Sequence, residues 1–329
     1  MKQLLALSLL LVGVYPYLTV AEEVAENGTL SVVLENDVFY GIDRHYTNGL
    51  RIVWVPGSDT PAPDWAVNVA KLVPWFPREG EMIHGYALGQ SMFAPSDKTL
   101  VNPPLDDRPY AGWLYVTMGL GVESGRELDL MSVSIGMVGP ASLAEEIQTF
   151  VHRFTNTPVS QGWDTQLENE PGILVSYQRS WRALATKTYL KNDLDFTPHL
   201  GMTFGNVFTY ANAGITARYG RQLPFDFGPP RIQPGLPGYG DFSPASDFGW
   251  YFFIGIDARA VAQNIFLDGN TFRDSRSVDK KTLVGDLQLG IVLDWPDMRL
   301  SYTHVVRSRE FETQENNDIF GAISVSFKF

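Results

Sequence analysis

Apolar and polar positions alternate with a period of two along much of this chain, most sharply at its end. Ile319, Gly321, Ile323, Val325, Phe327 and Phe329 share one side, while Ala322, Ser324, Ser326 and Lys328 share the other. Successive side chains of a strand point to opposite faces, so this segment predicts a strand with one greasy and one wet face. The pattern recurs in Leu283, Leu287, Leu289, Ile291 and Leu293 against Asp286, Gln288 and Asp294, and in Leu300 and Tyr302 against Arg299, Ser301 and Thr303. Twelve strands are predicted in all, at roughly 29–37, 46–55, 84–94, 110–121, 128–138, 172–182, 193–203, 207–220, 248–262, 281–294, 298–308 and 317–329.

A strand with one apolar face fits the core of a soluble sandwich or the lipid-facing wall of an outer-membrane barrel, and period alone does not separate them. Three features favour the barrel. Many predicted strands exceed the five or six residues usual in soluble sheets. The chain closes on an aromatic strand, as outer-membrane barrels do. The first residues read as an export leader: Met1-Lys2 is a short positive start, Leu4 to Val14 an apolar run too short to span a bilayer, and Thr19-Val20-Ala21 a small-residue cleavage site. Cleavage after Ala21 would leave residues 22–329 as an all-β, twelve-stranded antiparallel barrel in the bacterial outer membrane. An even strand number is what a single-chain bacterial barrel requires.

Parity then assigns a side to every connection. With both termini in the periplasm, the connections near 38–45, 95–109, 139–171, 204–206, 263–280 and 309–316 face outward. The others face the periplasm, including tight turns at 122–128 and 295–297. Two periplasmic connections are long for this architecture, 56–82 with a predicted short helix at 65–75, and 222–247, rich in Pro and Gly. Either they decorate the periplasmic end or the strand count is displaced by a hairpin.

Composition narrows the chemistry. Across 329 residues, 13% aromatic and only 19% charged, a disordered chain is excluded. A formal charge of −12 lacks the basic surface that nucleic acid demands. Without cysteine there is no disulfide framework and no thiolate metal site. Gly-x-Ser-x-Gly, phosphate-loop and His-Glu-x-x-His patterns are missing from the sequence.

The outward connections hold the polar clusters. Of five histidines, His84, His199 and His304 fall on or near strands, which leaves His45 and His152 as candidate general bases, since imidazole titrates near neutrality. His152 lies on a predicted helix, 144–154, which would hold the ring over the barrel mouth. Asn36-Asp37 offers hard oxygen ligands of the kind calcium takes, although Asn, Asp and Gly are also ordinary turn formers.

Five blocks occur in order: Asn36-Asp with Asp43-Arg-x-Tyr-Thr-Asn-Gly, Asp106-Asp-Arg-Pro-Tyr-Ala-Gly, Gly139-Pro with Gln148-x-x-x-His152-Arg, Gly162-Trp-Asp-x-Gln-Leu-x-Asn-Glu, and Gly205-Asn-x-Phe. Together they resemble the outer-membrane lipid A deacylases of Gram-negative bacteria, the lipid A 3′-O-deacylases. The resemblance spans nearly all of the chain after the leader. It implies a twelve-stranded barrel with its active site in the outer-leaflet half, and calcium-dependent hydrolysis of the 3′-linked acyloxyacyl ester of lipid A or lipopolysaccharide. It places the catalytic base on His152, the Asn-Asp pair on Asn36 and Asp37, with Asp37 at the calcium, and a threonine on Thr47. The family's lysine corresponds to Lys98, one or two residues from its column in the loop after Ala94-Pro95-Ser96, as an oxyanion or phosphate partner. The expected assembly is a monomer among outer-membrane lipids. Two other classes compete: a phospholipase-type outer-membrane hydrolase, for which no Ser-His pair stands on adjacent outward segments, and a non-enzymatic barrel or pore.

Overall fold

The computed structural model describes residues 28–37, 40, 44–189, 191–229, 231–232 and 247–329. The leader at 1–21, residues 38–39 and 41–43 of the first connection, and most of 222–247 lie outside the described residues.

Every predicted strand is present. In chain order they are β1 (Thr29–Asn36), β2 (His45–Val55), β3 (Glu81–Ala94), β4 (Ala111–Ser124), β5 (Glu127–Val138), β6 (Glu170–Trp181), β7 (Ala185–Tyr189), β8 (Asn192–Gly205), β9 (Phe208–Arg221), β10 (Gly249–Asn264), β11 (Leu283–Asp294), β12 (Met298–Arg307) and β13 (Asp318–Lys328). The unpredicted thirteenth, β7, pairs only with the first residues of β8, and the wall bypasses it because β6 pairs directly with β8 from Leu174↔Gly205 to Ser180↔His199. The remaining twelve strands close antiparallel, with β1 joined to β13 from Thr29↔Lys328 to Asn36↔Gly321. Closure leaves the wall no open edge to be satisfied inside a bilayer.

Alternation divides the wall's two faces. Along β10, Tyr251, Phe253, Asp257 and Arg259 are buried in the lumen, whereas Phe252, Ile254 and Ile256 stand exposed on the outside. The lumen is lined by ion pairs. Asp286 bridges Arg259 and Arg307, and Arg218 joins Asp195 and Asp226, which Arg299 also reaches at 2.5 Å. Charges taken out of water must be paired and hydrogen-bonded, and Asp286, Asp195 and Asp226 each accept from an arginine.

The two long periplasmic connections are decorations, so the strand count stands. In 56–80 the helix α1 (Asp64–Ala70) is shorter than predicted, and Ala70 with Phe76 packs on Leu120, Val122 and Met131, outward residues of β4 and β5. The start of 222–247 turns into the lumen, where Arg231 pairs with Glu35 at 2.5 Å and with Gln288 at 2.6 Å.

Three of the outward connections, 95–109, 263–280 and 309–316, meet at one rim, in line with the parity argument. Arg108 reaches Glu310, Lys281 pairs with Glu312, and Arg276 donates to the carbonyls of Pro103 and Pro104. The connection from β5 to β6 carries α2 (Ala144–Thr155), matching the predicted helix. Its position differs from expectation: α2 lies against the outside of the wall rather than over the mouth. Gln90, Met92 and Ala94 alternate with the luminal Ser91 and Phe93, so they point outward, yet they are buried because α2 and its flanks cover them.

Candidate active site

Asp37 leaves β1 at the rim and is buried, its Oδ2 accepting the Arg44 N–H at 2.7 Å. Burial pushes its carboxyl well above the ordinary carboxylate range. The backbone N–H groups of Arg44 and Asp37 and the Lys98 ammonium pull the other way, and the nearby Asp318 carboxylate adds to the rise. Asn36, the last residue of β1, lies opposite Asn48 on β2.

Thr47 owes its place to an irregularity. Tyr46 pairs with Phe93 and Asn48 with Met92, so Thr47 has no partner in the ladder and forms a bulge, its hydroxyl donating to the Met92 carbonyl at 3.5 Å. Bulges re-aim a side chain without disturbing the strand beyond them. Met92 in turn packs with Ala94, Tyr110, Ala144 and Trp163, which places Thr47 beneath the helix.

Lys98 sits in the connection from β3 to β4, where its carbonyl accepts the Gln161 N–H at 2.9 Å and ties that connection to the segment after α2. Burial lowers its ammonium, and Asp37 opposes the shift. His152 is buried on the wall side of α2, with Nδ1 2.9 Å from the Pro158 carbonyl. A carbonyl only accepts, so Nδ1 carries the proton and Nε2 is the basic nitrogen of the neutral ring. Burial holds this imidazole below its ordinary value, the Lys98 ammonium pushes the same way, and the Pro158 carbonyl opposes both. Lys98 therefore acts electrostatically on Asp37 and His152 together.

The helix is fixed by hydrogen bonds that cross connections. Gln148 accepts from the Trp163 indole at 2.8 Å, Gln90 donates to the Ser142 carbonyl at 2.6 Å, and Asn169 accepts from the Ala141 N–H at 2.7 Å. Close approach requires glycine in the wall, because a Cβ on Gly112 would stand 2.0 Å from Ser142 Oγ and 2.4 Å from Ala144 Cβ. Gly139, at φ 90°, turns the chain out of β5. Much of the quoted sequence blocks is thus scaffolding for α2.

His45, the other candidate base, has both ring nitrogens engaged. Nδ1 is 2.6 Å from Asp318 and Nε2 is 2.9 Å from Ser96 Oγ, while the ring meets Phe311 edge-on at 5.5 Å. It clamps three connections together rather than presenting a base. Asp318, which joins this clamp and acts on Asp37, carries no signal in the sequence, since its partners lie hundreds of residues away. Tyr40, bonded to Tyr302 at 2.6 Å and to His304, was equally illegible. A luminal cavity of about 100 Å³ lies inside the wall, and none of the five candidate residues lines it.

A family model for the outer membrane protein LpxR matches residues 4–329. The chain belongs to the LpxR family. LpxR from Salmonella typhimurium has the same fold, with a TM-score of 0.72 at 19% identity over 92% of this chain and 100% of that one. The β domain of the Bordetella autotransporter Brka gives 0.43 at 11% identity, over 92% of this chain and 97% of its own. No curated protein sequence matches. Membership in the LpxR family places the chain in the outer membrane and supports an outer-membrane lipid A deacylase. It also agrees with the resemblance carried by the five sequence blocks.

Proposed function

We propose that the chain removes the 3′-linked acyloxyacyl group of lipid A by calcium-dependent ester hydrolysis in the outer leaflet, acting as a monomer. The observation that carries this reading is the position of α2, which lies on the outer face of the wall and holds His152 within reach of the Lys98 charge, outside the luminal cavity. His152 Nε2 takes a proton from the attacking water, and the Nδ1–H bond to Pro158 fixes the tautomer and ring orientation this needs. Burial and Lys98 keep the ring neutral and ready. The Lys98 ammonium then faces the negative charge that develops on the ester oxygen. Thr47, fixed by the bulge, orients groups on the far side of the ester.

Calcium fits the charge pattern at Asp37, a buried carboxylate held above its ordinary range, which a divalent ion would relieve. Among the described residues no three His, Asp or Glu side chains converge, so Asp37 would be the charged ligand, completed by neutral oxygens such as that of Asn36. When bound, the ion would supply Lewis-acid stabilisation of the ester oxygen.

The test is to incubate the purified protein with lipid A and weigh the products. Loss of the 3′ acyloxyacyl mass, abolished by a chelator and restored by calcium, is expected. Loss of a phospholipid acyl chain instead would favour the phospholipase reading, unchanged lipid would favour a barrel without enzymatic activity, and full turnover in chelator would remove calcium.

A further inference from the structure

Helix α2 has two faces of opposite character. Ala144, Gln148 and His152, spaced by four, are buried against the wall. Leu143, just before the helix, and Ile147, Phe150 and Phe154, spaced by four, three and four, gather on a second side, roughly 130° round from the buried one at 3.6 residues per turn. They are 48%, 40%, 69% and 63% exposed. Glu145, Glu146 and Arg153 fill the rest of the exposed arc, to one side of that stripe. A short helix with one large apolar stripe beside a charged one is the pattern of a helix lying in a membrane interface. The stripe is also continuous with an established surface. Beneath α2 the same wall exposes Leu88, Val116 and Ile135 to lipid, and beside it the connection from β3 to β4 exposes Val101 and Leu105.

We propose that α2 is seated in the outer leaflet, with Leu143, Ile147, Phe150 and Phe154 against lipid acyl chains. The helix then separates lipid on one face from the candidate site on the other. Resting on the deacylase reading, the substrate approaches the candidate site from the leaflet, past Phe150 and Phe154. A water-filled surroundings would leave four large apolar side chains exposed on a single short helix, a contiguous patch that otherwise marks an interaction site.

The native chain has no cysteine, so single nitroxide labels can be attached at Ile147→Cys and Phe154→Cys. Val116→Cys serves as the lipid reference and Gln161→Cys as the aqueous one. In phospholipid vesicles containing lipopolysaccharide, labels at 147 and 154 should collide with oxygen in preference to a water-soluble nickel chelate, as at 116. Behaviour like that at 161 would overturn the proposal. The double variant Phe150→Ser/Phe154→Ser alters exposed positions only and should remain heat-modifiable on a gel. It should hydrolyse vesicle-embedded lipid A roughly tenfold more slowly than the parent. Equal rates on vesicles would overturn the part concerning substrate entry. If the parent releases no acyl group while the labels report lipid, the deacylase reading falls and the seating of α2 stands.

Discussion

Two short helices lie on the outside of the same stretch of wall, at opposite ends. Near the periplasm, α1 sets Ala66 and Ala70 inward and leaves Trp65 and Val69 exposed. Near the outer rim, α2 sets Ala144 inward and leaves Phe150 and Phe154 exposed. Their anchoring differs. Apolar contact with Leu120, Val122 and Met131 holds the α1 segment, and Pro63 at its start provides no side-chain cap. Hydrogen bonds to Trp163, Gln90 and Pro158 fix α2 from three directions. Apolar packing is enough to lay a helix on a wall, because it is non-directional. Holding a base in working geometry requires directional bonds, since small displacements cost large factors in rate.

The sharpest way to break this comparison is to remove the proposed base. His152→Ala should lower turnover by about 10²- to 10⁴-fold while the barrel still folds, as read by heat-modifiability; a loss below tenfold would deny it the role of base. Next, Gln148→Leu leaves the Trp163 indole without its acceptor and should cost roughly tenfold in turnover by loosening α2. An unchanged rate would mean that packing alone positions this helix too.

A smaller effect sharpens the electrostatics. A general base works only when neutral, and burial and Lys98 both push His152 below its ordinary value, so the acidic limb of the rate profile should lie below the usual imidazole range near 6.5. Lys98→Met removes the second cause, and the limb should move to higher pH along with a lower plateau. A limb that stays put would show that Lys98 does not act on the ring. The smallest effect belongs to the other helix: Phe76→Ala should hasten proteolysis in 56–80 and leave turnover within about twofold.

Much of this molecule is legible in its sequence because the barrel is built from one repeated local rule. Alternation gave twelve wall strands, and parity brought Asp37, Thr47, Lys98 and His152 to one rim before any distance was known. Three things escaped for physical reasons. Strand β7 adds no face to the wall, so hydropathy does not mark it. The seat of α2 on the outer face depends on outward residues Gln90, Met92 and Ala94 being covered, which is a matter of tertiary packing rather than pattern. His45 stays a candidate base behind the better-placed His152 until Asp318 and Ser96 are seen at its two nitrogens, and those contacts span 273 and 51 residues. The leader at 1–21 lies outside the described residues.

The bulge at Thr47 has a genetic consequence. Because Thr47 is the unpaired residue between Tyr46↔Phe93 and Asn48↔Met92, excising its codon would leave every other pairing of β2 as it is, with Tyr46 and Gly49 still turned to the lumen. An in-frame deletion elsewhere in a wall strand inverts all side chains beyond it and ruins the barrel. Here the three-base deletion should produce a normally assembled outer-membrane protein lacking turnover. That outcome would make the proposed site and the barrel separable by a single codon, one inserted residue in a regular strand being all that places this threonine.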